Sequence, residues 1–290
     1  RKKFTGALSD IWEYDVFSKV PTSFDNQLWM TNGVDDIVYW TGTDDFCTIS
    51  SVGFKAKHLR VFANMMIFGN LVQSGSSLTT DIINSDVGDP SNVSSGLSEQ
   101  FKVIRGSLGI TAMDLLSDYL VLYSRDQTVI SQFVGGDLVF IFREVSNNIG
   151  SVSRAVANFG DYHEFLGTDT QYRFNGATLT PSNDHIWREV IRQQDPARLQ
   201  ITYVFFDDEN GDLIWSFPQT SDPDIGNKGV NASAAKAFSE HYLEEVPLTQ
   251  HIRVPYSQRS FPFTGIGYFS RQTGLTWDQL TDQWQELNFK

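Results

Sequence analysis

Ser117-Asp-Tyr-Leu-Val-Leu-Tyr-Ser-Arg-Asp-Gln-Thr-Val-Ile-Ser-Gln-Phe133 reads as an apolar strand, a polar turn and a second alternating strand, and the pattern recurs. Gly160-Asp-Tyr-His-Glu-Phe-Leu-Gly-Thr-Asp-Thr-Gln-Tyr-Arg-Phe174 has the same form, and Asn26-Gln-Leu-Trp-Met-Thr-Asn-Gly-Val-Asp-Asp-Ile-Val-Tyr-Trp40 is a looser copy. The Asp-Tyr pairs start at 118 and 161, 43 residues apart. A weaker copy at Asn64-Met-Met-Ile-Phe-Gly69 falls between the first and the second, and Tyr203-Val-Phe-Phe206 follows the last. Short strands repeated at roughly 40 to 50 residues point to a radial all-β array, a β-propeller above all. Each sheet is too small to bury its own faces, so the blades must pack on one another.

The spacing predicts four to six small antiparallel sheets over residues 1–290 in one propeller-like domain. Strands are expected over 9–54, two or three over 58–86, a complete blade over 101–145 and another over 152–180. Thr31-Asn-Gly-Val34 is a hairpin turn in which Asn-Gly supplies positive φ, Ser85-Asp-Val-Gly-Asp-Pro90 closes a unit, and Ser91 to Ser98 is an exposed connection. Asp184-His-Ile-Trp-Arg-Glu-Val-Ile-Arg-Gln-Gln-Asp-Pro196 sets Ile186, Trp187, Val190 and Ile191 at helical spacing, which predicts a helical insert over 184–195 with Asp184 as its N-cap. The polar stretch 220–231 reads as a flexible loop insertion. With His251-Ile-Arg-Val-Pro-Tyr-Ser-Gln-Arg-Ser-Phe261 it is expected outside the blades, making contacts between subunits. Period-two alternation assigns Leu28, Met30, Leu120, Leu122, Phe165, Val204 and Phe206 to the blade cores.

Forty per cent apolar residues, with 22 Phe, 10 Tyr and 7 Trp, suit packed sheets. No apolar run reaches the length of a membrane span. Arg1-Lys-Lys-Phe-Thr5 lacks the apolar stretch of a signal peptide, so the chain is expected to begin inside a longer polypeptide. The net charge of −13 opposes tight wrapping of nucleic acid, which needs clustered Lys and Arg. One cysteine, Cys47, excludes an internal disulfide. Its strand-like setting predicts a small core-facing side chain, and no nearby His or Lys would form its thiolate.

No catalytic, cofactor-binding or metal-ligating residue is assigned. His58, His163, His185, His241 and His251 are scattered without metal spacing and read as surface or strand histidines. Asp207-Asp-Glu-Asn-Gly-Asp212 resembles a calcium loop only until Gly211 is aligned with the invariant glycine. Phe206 then holds the first ligand position and the distal Glu is missing, so a hairpin turn accounts for it better. Asp35, Asp36, Asp44 and Asp45 read as turn residues at hairpin tips. Such tips could pair carboxylates for glycoside hydrolysis, but no Asp-box repeat or arginine triad accompanies them. Trp12, Trp29, Trp40, Trp187, Trp215, Trp277 and Trp284 could stack on sugars, although alternation sends most of them to buried faces.

Trp29-Met-Thr-Asn-Gly-Val-Asp-Asp-Ile-Val-Tyr-Trp-Thr-Gly-Thr43 resembles a hairpin of the β-propeller tail and neck structural proteins of tailed double-stranded DNA bacteriophages. The resemblance continues in order through Ser85 to Pro90, Leu116 to Tyr123, Ile149-Gly-Ser-Val-Ser-Arg154, Gly160 to Asp169 and Ile186 to Val190. It ends at Gly267-Tyr-Phe269 and Leu275-Thr-Trp-Asp278, and so spans most of the chain. It departs at Ala234-Ala-Lys-Ala-Phe-Ser-Glu-His-Tyr242, which replaces the family's usual strand and leaves the last blade and its closure open.

The resemblance implies a virion structural protein of nozzle or tail-hub type, located in the tail and without catalytic residues or cofactor. Copies would form a ring, a hexamer by this reading, around the DNA ejection channel. DNA would pass through without specific binding, and neighbouring adaptor and tail-fibre proteins would be the other partners. The alternatives are a carbohydrate-binding propeller that recognises a host surface and, further off, a glycosidase.

Overall fold

The computed structural model describes residues 12–18, 26–42, 47–106, 108–136, 138–182, 196, 199, 202–207, 212–217, 236–241 and 251–253. They form five four-stranded antiparallel sheets, each built from strands consecutive in sequence. The first blade is β1 (Glu13–Ser18), β2 (Asn26–Thr31), β3 (Val38–Trp40) and β4 (Thr48–Ile49). The second is β5 (Lys55–Phe62), β6 (Met65–Gln73), β7 (Ser76–Asn84) and β8 (Gln100–Lys102). The third is β9 (Ala112–Leu116), β10 (Tyr119–Tyr123), β11 (Thr128–Phe133) and β12 (Phe140–Ser146). The fourth is β13 (Val156–Asn158), β14 (His163–Leu166), β15 (Gln171–Phe174) and β16 (Leu179–Ser182). The fifth is β17 (Tyr203–Asp207), β18 (Asp212–Phe217), β19 (Lys236–His241) and β20 (His251–Arg253). First strands lie beside first strands in succession, β1 by β5, β5 by β9, β9 by β13 and β13 by β17. The chain is thus an all-β, propeller-like array.

Side-chain alternation here selects which neighbouring blade a residue meets. In β10, Leu120 and Leu122 join a cluster with Met65, Ile67 and Ile82 of the second blade. Val121 and Tyr123, on the other face, join Phe165, Tyr172 and Phe174 of the fourth. In β6, Met65 and Ile67 face the third blade, whereas Met66 and Phe68 pack with Phe17 and Trp29 of the first. Strands covered on both faces read as unbroken apolar runs, which is why Met65-Met-Ile-Phe68 and Leu120-Val-Leu-Tyr123 show no polar alternation. Outer strands are polar or exposed, as in β4, β8 and β12.

Several expectations change. Phe101 and Lys102 close the second blade, so the third starts at Ala112 and the expected unit over 101–145 straddled two. The ordered loop between β7 and β8 misled the spacing: Asp86 Oδ1 accepts the backbone N–H of Val87 and Leu97, folding Ser85 to Ser98 on itself. The copies at 26, 118 and 161 are second-to-third-strand hairpins, but Tyr203 opens a first-to-second one. Leu28 and Met30 are only half-buried, because Trp29 takes the face toward the second blade. Leu120, Leu122 and Phe165 are buried as expected, Val204 is half-buried, and the Phe206 side chain lies outside the described residues.

Cys47 is exposed rather than core-facing, since it stands before the two-residue edge strand β4. His251–Arg253 pairs with β19 as the outer strand of the fifth blade, so that part of 251–261 belongs to a blade. Lys236–His241, within the departing stretch, supplies β19 itself. The helix expected over 184–195 and the loop 220–231 lie outside the described residues.

Candidate functional site

The first strands carry charged residues between apolar ones, and the array brings these charges together along its inner side. From β1 come Glu13 and Asp15, from β5 Lys57, His58 and Arg60, and from β9 Asp114. Arg154 arrives from the segment ahead of β13. That segment, Ile149 to Arg154, is fixed along its length. Thr128 Oγ1 donates to Ile149 O at 2.9 Å, Thr111 Oγ1 to Ser151 O at 2.7 Å, and Ser151 Oγ to Ser153 O at 2.6 Å. A Cβ at Gly150 would press on the backbone of Ser124 and Gln127, the latter's nitrogen 2.7 Å away, so only glycine lets the segment pass so close. The outcome is Arg154 Nη2 3.6 Å from Glu13 Oε1.

Glu13 is the centre of the network. Its Oε1 is 2.9 Å from His58 Nδ1, and His58 Nε2 is 3.1 Å from Ile110 O. Burial by itself would raise the Glu13 carboxyl, but His58, Arg154 and Arg60 outweigh it and hold the carboxyl far below the usual carboxylate range. With Glu13 ionised and Ile110 O an acceptor only, both ring nitrogens of His58 face acceptors, and each contact is a hydrogen bond only when its nitrogen carries a proton. Burial opposes a second proton while the Glu13 charge favours it. Burial wins, and the His58 pKa falls below its ordinary value.

Arg60 Nε donates to Asp114 Oδ1 at 3.3 Å, and Nη1 donates to Leu59 O at 2.9 Å. Burial works against the Arg60 charge, but Glu13, Asp114 and Asp15 raise its pKa overall. Arg154 and Lys57 are lowered, chiefly by burial. Asp15 Oδ2 accepts the Val61 backbone N–H at 2.8 Å, tying β1 to β5. Further along, His163 Nε2 reaches Leu115 O at 2.7 Å and Nδ1 meets the Tyr123 hydroxyl at 2.9 Å. That geometry suits a neutral ring that donates from Nε2 and accepts at Nδ1; burial lowers the His163 pKa and raises that of Tyr123.

The network couples blades one, two, three and four through paired charges of both signs. Among the described residues of this network three carboxylates (Glu13, Asp15, Asp114) stand against three strong bases (Lys57, Arg60, Arg154), so the network is balanced in charge. The Tyr123 hydroxyl that lies beside the His163 ring is fully buried. Among the described residues no group of three or more His, Cys, Asp and Glu is placed to hold a metal ion. Among them, too, no helix is long and apolar enough to cross a membrane.

The residues singled out from sequence are dispersed. His58 and His163 are strand histidines, in β5 and β14, and both are fully buried. The Asp35 side chain is buried and clasped: Asn32 Nδ2 donates to Asp35 Oδ2 at 2.9 Å, and Asn32 Oδ1 accepts the Asp35 backbone N–H at 2.8 Å. Only Gly33 in that turn has positive φ; Asn32 acts through its side chain. Asp207 and Asp212 are backbone partners at the ends of β17 and β18; Asp44, Asp45 and 208–211 lie outside the described residues. Trp29 and Trp215 are buried while Trp12 and Trp40 are exposed. Trp187, Trp277, Trp284 and His185 lie outside the described residues. Glu13, Arg60, Asp114 and Arg154 were missed; for the first three the available signal was a charge within a first strand, whereas Arg154, ahead of β13, carried none.

No protein-family model matches the chain, and no curated protein does. Among solved structures, an S. cerevisiae Dbp5 assembly with Nup159 and Gle1 is similar at a TM-score of 0.45 and 8% identity, over 84% of this chain and 62% of that one. The N-terminal domain of Nup159 is similar at 0.43 and 9%, over 75% and 56%, and the AfRom2 CNH domain at 0.41 and 10%, over 86% and 89%. The chain thus spans less than two thirds of the length of the first two. Likenesses this distant carry no functional information.

Proposed function

We propose that the chain is a non-enzymatic structural protein of a bacteriophage tail, of nozzle or hub type, whose copies form a ring around the DNA ejection channel. The observation that carries this reading is the ordered series of family-like motifs from Trp29 to Asp278. Those within the described residues occupy positions where the fold depends on them. Asn32, Gly33 and Asp35 clasp the turn between β2 and β3. Asp86 organises the loop between β7 and β8, and Gly150 to Arg154 delivers a charge to the inner network. The pairing of Glu13 with His58 and Arg154, and of Arg60 with Asp114, suits a rigid scaffold.

Native mass spectrometry and negative-stain electron microscopy of the full chain test this. A closed homo-oligomeric ring, hexameric by this reading, with an opening wide enough for duplex DNA is the expected result. A chain that stays monomeric at high concentration overturns it, and glycan binding abolished by Trp12→Ala would turn the reading to host-surface recognition. If DNA passes through such a ring, its lining should carry excess Asp and Glu, because each phosphate neutralised by a base adds binding that moving DNA must break. A lining of Arg and Lys would argue against DNA passage.

A further inference from the structure

Asn-Gly occurs three times in the chain, at Asn32–Gly33, Asn175–Gly176 and Asn210–Gly211, the last outside the described residues. The first two sit in hairpin turns that are clasped in the same way. Asn32 Oδ1 accepts the backbone N–H of Val34 at 3.0 Å and of Asp35 at 2.8 Å. Asn175 Oδ1 accepts those of Ala177 at 3.1 Å and Thr178 at 2.8 Å, and also the Thr178 hydroxyl at 3.2 Å. Gly33 and Gly176 both hold positive φ, at +78° and +86°. With no Cβ beside it, a glycine nitrogen meets less obstruction than any other in approaching the side-chain carbonyl of the residue before it.

The two turns differ in their surroundings. Asn32 is 6% exposed, and its Nδ2 donates to the buried Asp35 Oδ2 at 2.9 Å. Exchanging that amide for a carboxylate would set two negative charges against each other away from water. Asn175 is exposed, and a Cβ at Gly176 would meet only Leu116 Cδ2, at 3.8 Å. Water therefore has access to the Asn175 amide, and a carboxylate formed there would be solvated.

We propose that Asn175–Gly176 is a site of spontaneous covalent modification, at which the side-chain amide is lost to water, while the fold protects Asn32–Gly33. The Gly176 nitrogen gives its proton to solvent and bonds to Asn175 Cγ. The Cγ–Nδ2 bond breaks, and Nδ2 leaves as ammonia with a proton taken from solvent. The negative charge that develops during the attack falls on Oδ1, which already faces three donors. Water then opens the cyclic imide at either carbonyl. One opening leaves an ordinary aspartate; the other leaves isoaspartate, whose main chain runs through Cβ and Cγ and is longer by one methylene. Nothing is oxidised or reduced, and water is the only other reactant. The added methylene enters where the turn between β15 and β16 begins. There Arg143 Nη2, from β12, donates to Gly176 O at 3.1 Å, so isoaspartate displaces a bond between the third and fourth blades.

Ageing of the full chain at neutral pH and physiological temperature tests this, with proteolysis and mass spectrometry using electron-transfer fragmentation as the readout. The peptide holding Asn175 should gain the mass by which a hydroxyl exceeds an amino group, with isoaspartate as the main product. The peptide holding Asn32 should convert at least ~10-fold more slowly, because it reacts only when its turn opens. In urea the two should convert at similar rates, which assigns the difference to the fold. Equal rates in the folded chain, or a faster reaction at Asn32, overturn the proposal, and so does a contrast that persists in urea. Aspartate formed at Asn175 with no isoaspartate would exclude attack by the Gly176 nitrogen and overturn it as well.

Discussion

Leu120→Ala tests whether blades are held by side chains shared between them. Leu120 is fully buried in the cluster that joins β6 and β7 of the second blade to β10 and β11 of the third. The substitution removes three buried carbons, worth about 2.4 kcal/mol at roughly 0.8 kcal/mol each. The void adds to this, because Met65, Ile67 and Phe140 around it are themselves held by sheet backbone and by neighbouring rings. Buried leucine truncations of this kind cost about 2.7–5 kcal/mol. Ile141→Ala is the matched control: Ile141 lies on β12 of the same blade but is exposed, and it should cost no more than about 0.5 kcal/mol. Urea unfolding followed by tryptophan fluorescence gives both values, with the slope of each curve checking that the unfolding reaction is unchanged. A Leu120→Ala loss no larger than that of Ile141→Ala would refute packing between blades as the source of stability here.

Gly150→Ala should destabilise by about 1–3 kcal/mol, since its Cβ meets the backbone of Ser124 and Gln127, which cannot swing aside. Gly160→Ala has open space but a φ of +85°, so its cost should be about 1–2 kcal/mol and purely conformational; equal midpoints for Gly150→Ala and wild type would contradict the close approach. The Glu13 carboxyl is depressed in the folded state, so its contribution is complete above the unfolded pKa of about 4.3 and is lost as pH falls below it. Stability measured between pH 7 and pH 3 should therefore fall less steeply in Glu13→Gln than in wild type, and the variant should start about 1–3 kcal/mol lower at pH 7. Parallel pH profiles would remove Glu13 from the network. Deleting 220–231 should reduce ring assembly seen by native mass spectrometry while the thermal midpoint of the chain is retained; rings formed normally would free that loop from any role between subunits.

The fold was legible because its signals are local. Leu120-Val-Leu-Tyr123 and Met65-Met-Ile-Phe68 announce strands buried on both sides, and Asn32-Gly33, Ser117-Asp118 and Gly160 mark the turns between them. Unit boundaries were less legible, because fourth strands are short and polar. Gln100–Lys102 has nothing in its three residues to assign it to the unit before rather than the unit after. Only its pairing with Asp81 to Ile83 does so. Face assignment failed in the first blade for a related reason. Leu28, Trp29 and Met30 are all apolar, so alternation cannot say which of them meets the second blade.

The inner network was illegible for a different reason: its partners are brought together only by the circular order of the blades. Glu13 and Arg154 belong to the first and fourth blades, and no spacing rule connects them. What the sequence does contain is an expensive choice repeated on first strands, where a charge takes a place that an apolar side chain could fill. A buried charge is tolerated only when paired, so each such residue implies a partner from another blade. His58 shows how far the inference can be carried. Read alone it is one scattered histidine; read with Glu13 and Arg60 it belongs to a set whose members can be satisfied only if β1, β5, β9 and the segment before β13 converge. Charges of this kind fix which first strands must be neighbours, a constraint that apolar packing, indifferent to partner, does not impose.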